Sequence, residues 1–505
     1  MWKVFRYKKN ILNYWGENMN LSELAGKEIV NLISGERLGV IGECDIIIDE
    51  TTGKILALSI PREKGFFGIR RDRGDIEIPW RNVKKIGNDM IIIEYDGVYY
   101  GGIMGILVQK FGGTSVASVE KMNEVCNIIE CYRKKGNDLV VVVSAMGRKG
   151  EPYATDTLIN LCTKVNQKPK KRELDLIMSC GEIISGTILS SMLEARGIPS
   201  VFLTGMQAGI VTTKIYSDSK IKEINPTRIH RELDEGKVVV IAGFQGATED
   251  GEITTLGRGG SDTSAVAIGK SLGCETVQIY TDVDGIMTAD PRIEPSAKIL
   301  DYCDYEEVFQ MAEKGAKVIH PRAVELAKNG DIVLEIKNTL NPTCKGTRIG
   351  LTRGVVSNDY EDFKARFMTA VAHKDNIVQV KVKSSEELFS KILNEMEEKQ
   401  INLDMINFFA EEKAFALDQN NISLVEKILK KYNVEYEVRK HCAKVTLIGS
   451  KITETPGVIA RIVRSLSKAG ISLLQSSDSY TCLTCLVKEE DMINTVHAIH
   501  KEFTD

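Results

Sequence analysis

Hydrophobic and polar positions along the chain fall into three textures. Between residues 20 and 100, short apolar runs (ERLGVIGECDIIID, KILALSI, IEIPW, MIIIEY) alternate with turn-forming clusters such as Glu50-Thr51-Thr52-Gly53 and Ile86-Gly87-Asn88-Asp89. No stretch there sustains a helical period, which predicts a small all-β unit, a barrel being the simplest closure. From Met104 the texture changes to continuous apolar runs alternating with helical stretches. ILVQKF leads into a helix over residues 116–134, and LVVVVSAMG into the helical run LDLIMSCGEIISGTILSSMLEARG; PSVFLTG, KVVVIAGFQGA and VQIYTDVDG follow. Strands apolar on both faces and joined by helices predict a mainly parallel sheet covered on both sides. Such folds hold ligands at the carboxyl ends of their strands, so residues 104–350 contain the candidate site. After a linker at 351–367, EMEEKQINLDMINFF and SLSKAGISLLQSSDS repeat one pattern, with Ile401 and Ile471 in equivalent places. Each ends a helix, turns into a strand, and is followed by another strand and a helix. Two α+β units are expected, at 368–438 and 441–505.

Composition narrows the partners. A chain of 505 residues exceeds one ordinary domain, and 43% hydrophobic with 27% charged residues excludes a disordered or collagenous chain. A net charge of -4 gives no basic field for nucleic acid or an anionic membrane. No apolar run is expected to approach the roughly 18 to 20 residues that span a bilayer. The first 18 residues, MWKVFRYKKNILNYWGEN, lack the apolar core and cleavage site of a signal peptide. They read as an extension, with Met1, Met19 and Met104 all plausible starts. Eleven cysteines scattered through apolar segments suit reduced thiols and a cytoplasmic setting. The close pair Cys482 and Cys485 lies three apart on an apolar strand, hence on opposite faces, which favours packing over metal or redox chemistry. In the β unit, Arg70, Arg71 and Arg73 with Lys64 read as a solvated hairpin tip.

Four glycine-containing segments carry the chemistry. Lys110-Phe111-Gly112-Gly113-Thr114-Ser115 links a buried strand to a helix, where glycines let backbone amides approach phosphate oxygens and Lys110 adds a full charge. In Thr255-Leu256-Gly257-Arg258-Gly259-Gly260-Ser261-Asp262, one arginine suited to grip a carboxylate sits among small residues, and Asp262 is placed to orient a lysine or a cation. The segment from Tyr280 through Thr281, Asp282 and Asp284 to Met287, Thr288, Ala289, Asp290, Pro291 and Arg292 gathers carboxylates and a basic residue after a strand, which suits a nucleotide and its magnesium. Gly315-Ala316-Lys317-Val318-Ile319-His320-Pro321 offers a second lysine, with His320 reading as a capping residue. No Ser-His-Asp or Cys-His arrangement accompanies them.

These four segments, with VVVVSAMGRKGEPYATD, SCGEIIS, GMQAG and AGFQGAT, closely resemble the amino-acid kinase family and, within it, the aspartokinases. The resemblance implies ATP and Mg2+ as cofactors and L-aspartate as phosphoryl acceptor, giving 4-phospho-L-aspartate. It places Lys110, Phe111, Gly112, Gly113 and Thr114 at the ATP phosphates. Thr281, Asp282, the 287–292 loop and Lys317 match nucleotide-binding positions, while Thr155, Glu182, Arg258, Gly259, Gly260 and Ser261 match aspartate-binding ones. Lys110, Asp262 and Lys317 correspond to catalytic residues. The C-terminal repeat resembles paired ACT domains: the second copy has the turn Thr455-Pro456-Gly457-Val458 and the first reads VKSSEELFSKI instead. ACT pairs bind amino acids, which makes Met405, Ile406, Asn407, Gln475, Ser476 and Asp478 candidate regulatory positions and implies a homodimer or larger assembly. CAKVTLIG, LLQSSDS and the MGRKGEPYATD loop are nearest the diaminopimelate-sensitive monofunctional branch, with meso-diaminopimelate or lysine as effector. LSELAGKEIVNL and IPWRNVKKIGNDMIII, within 19–102, resemble the sporulation-associated PRC-barrel domains.

Two other readings stay open at this level. One is a related amino-acid kinase acting on glutamate, acetylglutamate or a nucleoside monophosphate, against which Arg258 and Glu182 speak, since they suit an α-carboxylate and an α-ammonium. The other is an inactive amino-acid sensor, against which the retention of Lys110, Asp262 and Lys317 speaks.

Overall fold

The computed structural model describes residues 24, 26–32, 37–41, 45–48, 55–60, 76–80 and 83–93 of the N-terminal unit, and 106–316, 318–350, 368–409, 411–449, 452 and 455–504 beyond it. The N-terminal extension, the Arg70–Arg73 loop, Met104, Lys317 and the 351–367 linker lie outside the described residues. The chain divides into two compact units, 1–103 and 104–505.

The first unit is all β among its described residues. Strands β1 (Glu28–Asn31), β2 (Arg37–Val40), β6 (Val83–Ile86) and β7 (Met90–Ile93) form one sheet, and β3 (Asp45–Ile48), β4 (Ile55–Ile60) and β5 (Ile76–Pro79) a second. Leu24, Ile29, Leu58, Ile78, Ile91 and Ile93 share one core.

The second unit begins with the expected parallel sheet. Its strands are β8 (Ile106–Phe111), β9 (Asp138–Val143), β10 (Ser200–Leu203), β13 (Val238–Ala242), β16 (Thr276–Thr281), β17 (Tyr302–Cys303), β18 (Val333–Asn338) and β19 (Thr347–Ile349). They lie in the order β10-β13-β9-β8-β16-β18-β19-β17, parallel from β10 to β18. A smaller sheet of β11 (Ile210–Thr212), β12 (Ile221–Ile224), β14 (Gln245–Ala247) and β15 (Ile253–Thr255) stands beside it. Strand order reverses around β8, with β9 on one side and β16 on the other. The turns leaving these strands therefore diverge and open a crevice.

Helices α1 (Val119–Lys134), α2 (Thr155–Val165) and α3 (Lys171–Ala195) precede α4 (Thr227–Asp234), α5 (Gly260–Ser271), α6 (Tyr305–Lys314) and α7 (Pro321–Gly330). The α1 helix starts later than residue 116, because the Ser118 hydroxyl accepts the Lys121 amide and caps the first turn. The α3 helix corrects a second expectation: its length and mean hydropathy of 1.5 are enough to cross a bilayer. Half of that stretch is buried within the fold, and Asp175 and Glu182 lie among its buried residues, so it is a core helix.

The C-terminal part contains β20 (Met368–Lys383), α8 (Glu386–Glu398), β21 (Asp404–Phe408), β22 (Glu412–Asp418), α9 (Ile422–Lys431), β23 (Glu435–Gly449), α10 (Val458–Lys468), β24 (Gln475–Ser479), β25 (Cys482–Lys488) and α11 (Met492–Thr504). Strands β20 and β23 pair along their whole lengths, from Met368 opposite Gly449 to Lys383 opposite Glu435. β22 pairs only with 377–383 of β20, and β25 only with 442–448 of β23. The cores follow the pairing. Val378, Val380 and Val382 pack with Phe389 and Phe415 of the first repeat, whereas Met368 and Val371 join Val445, Ile462 and Val496 of the second. The opening strand of this region thus completes the later repeat, and the two copies interleave. Cys482 and Cys485 do face opposite ways: Cys482 meets Gln310 of α6, while burial in the repeat core pushes the Cys485 thiol up to about 12.

Candidate active site

The crevice at the strand reversal is a cleft of about 300 Å³. Its walls include Thr114 and Ser115 after β8, Arg148 and Glu151 after β9, Thr281 and Asp282 after β16, and Thr339 and Leu340 after β18. Four successive carboxyl ends thus contribute, as the parallel topology requires.

The turn after β8 is fixed by neighbouring backbone. Gly112 N–H donates to the Tyr280 carbonyl at 3.1 Å, and Gly147 N–H to the Gly113 carbonyl at 3.0 Å. A Cβ on Gly113 would stand 2.8 Å from the carbonyl oxygens of both Ala145 and Gly147, so only glycine lets these two loops meet. Lys110 is buried, and its Nζ lies 2.6 Å from Asp262 Oδ1 at the first turn of α5. Asp262, expected to orient a lysine or a cation, is thus paired with Lys110. The Phe111 side chain is fully buried and stacks on Tyr280 at 4.7 Å. It reinforces the sheet and does not reach the cleft.

Glu182 on α3 is 2% exposed. One carboxylate oxygen accepts the Ala145 amide at 2.9 Å, and the other has no hydrogen-bond partner. Burial pushes its carboxyl up to about 8, with the Ala145 amide pulling the other way. At neutral pH it is therefore largely protonated. The segment 255–262 folds into a tight loop that caps α5 with Gly259 in the left-handed region at φ 68°. A Cβ there would lie 2.1 Å from the His320 ring. His320 itself caps α7, its Nδ1 accepting the Arg322 amide, and burial holds its imidazole below the usual range. Gly260 and Ser261 are buried in the first turn of α5, Arg258 is exposed and holds no ion pair among the described residues, and Thr155 is half-buried at the start of α2.

Not every expected nucleotide residue reaches the cleft. Thr281 and Asp282 line it, Asp282 being ion-paired with Arg148 from the opposite wall. The 287–292 loop turns elsewhere. Met287 bridges Ile299, Thr288 bonds His500 Nε2 at 2.9 Å, and apolar Ala289 joins the core of the second repeat. Asp290 is occupied by Arg292 at 2.6 Å, beside the exposed Pro291. Lys317 lies outside the described residues. Conversely, Lys121, Arg148, Glu151, Thr339 and Leu340 line the cleft without having been singled out. Arg148 and Glu151 were detectable as the residues following a strand end, but nothing in the sequence around Thr339 marks that loop as part of a site.

In the repeats, the structure joins the two candidate regulatory runs. Gln475 Nε2 donates to the Met405 carbonyl and to Asn407 Oδ1 at 2.7 Å, and Gln379 supports it at 2.9 Å. Met405 is buried, whereas Ile406, Ser476 and Asp478 are exposed and take no part in this junction.

Comparison with known proteins agrees with this architecture. The amino acid kinase family matches residues 105–338, the ACT domain 437–501 and the PRC-barrel domain 16–98. Aspartokinase 1 of Bacillus subtilis is 40% identical over 403 residues, 79% of this chain and 99% of its own. Aspartokinase of Geobacillus stearothermophilus is 38% identical over 411 residues, 79% and 97% of the two chains. Among solved structures, E. coli aspartokinase III in complex with aspartate and ADP shares the fold, with a TM-score of 0.66 at 24% identity over 79% of this chain and all of that one.

Proposed function

The chain belongs to the aspartokinases, which phosphorylate L-aspartate, and from that premise we propose how its own residues carry phosphate from ATP to the aspartate side chain. The observation that carries the proposal is the partnerless, deeply buried carboxylate oxygen of Glu182, whose other oxygen holds the amide of Ala145 in the loop after β9 that also supplies Arg148 and Glu151 to the cleft. An α-ammonium supplies what Glu182 lacks. Arg258 takes the α-carboxylate through two parallel hydrogen bonds, and Thr155, Gly259, Gly260 and Ser261 shape the pocket around it. The side-chain carboxylate of aspartate, with an ordinary pKa of about 3.9, is already ionised at neutral pH and attacks without a general base. What remains is to hold two anions together, which is electrostatic work. Lys110, oriented by Asp262, neutralises the transferred group; the amides of Gly112, Gly113 and Thr114 receive phosphate oxygens. Thr281 and Asp282 hold the nucleotide side, and Lys317 adds a second cation on the strength of its sequence match.

Mg2+ fits the donor set, since it is commonly held by one or two carboxylates plus phosphates and the cleft presents Asp282 and Glu151; bound there, it would offset phosphate charge. We assign the chain to the diaminopimelate-sensitive branch, working in the cytoplasm, with meso-diaminopimelate or lysine bound near Met405, Asn407 and Gln475 and the repeats pairing between subunits. Domain limits of 19–102, 104–350, 368–438 and 441–505 belong to the same proposal, as does the sporulation-type character of the β unit. Hydroxylamine trapping of the acyl phosphate tests the reaction: hydroxamate should form with aspartate and not with glutamate or acetylglutamate. Formation with none of the three would leave an amino-acid sensor.

A further inference from the structure

One fully buried carboxylate has no part in the chemistry above. Asp175 on α3 is 0% exposed and accepts four hydrogen bonds. Its Oδ2 takes the amides of Ser217 at 2.9 Å and Thr255 at 2.8 Å; its Oδ1 takes the hydroxyls of the same two residues, each at 3.0 Å. Ser217 is one of the few non-glycine residues with positive φ, at 70°, a conformation that needs local support. Thr255 ends β15 and opens the loop that carries Arg258. The neighbouring Asp218 accepts Arg322 at 2.8 Å, and Arg322 also donates to the Leu256 carbonyl at 3.1 Å, so the loop is held from α7 as well.

Asp175 and Glu182 are seven residues apart on one helix. Seven residues are nearly two turns, so both lie on the same face, roughly 10 Å apart along the axis. We propose that Asp175 is a positioning residue for substrate selection: through Thr255 and Ser217 it fixes the Arg258 loop against α3, so that one rigid helix sets the separation between the ammonium site at Glu182 and the carboxylate site at Arg258. The inference rests on the reading that Glu182 and Arg258 hold aspartate. It gives α3 a task beyond packing. A longer or shorter amino acid would meet one site and miss the other or carry its side chain past the phosphate cradle.

Asp175→Ala in the full chain leaves four donors without their acceptor and frees the loop. Losses of about 10-fold or more in aspartate kcat/KM are expected, since a misplacement of about 1 Å caused away from the reacting atoms can cost up to about 100-fold. The rise should appear in aspartate KM, with ATP KM within about twofold. Asp175→Asn should restore most of the loss, because its amide oxygen can accept both N–H groups while its NH2 donates to the two hydroxyls. If Asp175→Ala does not fold, Thr255→Val removes one hydroxyl bond alone and should raise aspartate KM in the same direction by a smaller factor. A uniform fall in kcat with unchanged aspartate KM, or a lowered Tm with normal kinetics, overturns the proposal and leaves Asp175 a purely structural residue. Arg258→Lys separates the two levels. If it leaves aspartate KM unchanged, the substrate reading itself fails; if it raises KM and neither Asp175→Ala nor Thr255→Val does, only the positioning role fails.

Discussion

At the scale of single residues, Glu182 and Lys110 make opposite demands on their surroundings. Lys110 arrives with its counter-charge, Asp262, at 2.6 Å. Lys110→Ala should cut turnover by roughly 100-fold or more while leaving the circular dichroism spectrum unchanged, because such groups supply about 3–4 kcal/mol to a developing charge. A variant with near-normal turnover would remove Lys110 from the phosphate cradle. Glu182 waits for its counter-charge. Its carboxyl, raised to about 8 by burial, must ionise to meet an ammonium, so binding expels a proton at lower pH. Aspartate KM should therefore fall as pH rises from 6 toward 8 and level off above, with a slope of at most tenfold per unit. Glu182→Gln should flatten that profile. The same raised value penalises folding: the unfolded carboxyl ionises above its ordinary value near 4.5 and the folded one does not, so stability declines between about pH 4.5 and 8. Lys110 was legible from the sequence, because a charge among glycines after an apolar strand has few other uses, and Glu182 only through the family resemblance. Asp175 was not. Nothing nearby in the chain announces that it will meet Ser217 and Thr255, residues that come close only after folding.

At the scale of elements, loops are held by the helices and strands they leave. Gly259 is the sharpest case, being both left-handed and pressed against His320. Gly259→Ala should cost about 1–2 kcal/mol for the backbone alone, and more for the displaced ring. Differential scanning calorimetry should show a lower Tm, and aspartate KM should rise with it because Arg258 is the adjacent residue. A fully normal enzyme would mean that the loop and His320 yield together. Alternation of apolar strands and helices made the parallel sheet readable, since burial on both faces leaves no other pattern. The destination of the 287–292 loop was not readable: Ala289 and Thr288 are small, neutral residues, and their partners on the second repeat lie far along the chain.

At the scale of the whole second unit, that loop and its neighbours join the parallel-sheet part of the chain to the repeats. Thr288 meets His500, Glu294 meets His497 at 2.7 Å, and Thr369 donates to Glu307 of α6. An effector bound near Gln475 can shift the enzyme only by favouring one of two arrangements of these contacts. Titrating activity with meso-diaminopimelate, lysine and threonine, singly and in pairs, should reveal inhibition by one of the first two; a flat response to all would leave the repeats an assembly module. Removing residues 366–505 should abolish the response and also lower Tm, since Ala289 would lose the apolar cluster that now covers it. The interleaved repeats also bear on the order in which the chain folds. The segment opposite Gly449 begins at Met368, so during synthesis the first edge to emerge must wait, unpaired, until β23 has been made through Gly449. Local contacts close the first repeat early, whereas the second depends on a distant pairing, the kind that slows folding. A chimera that exchanges the last repeat between relatives must carry residues 368–374 with it, or the transplanted half lacks a strand.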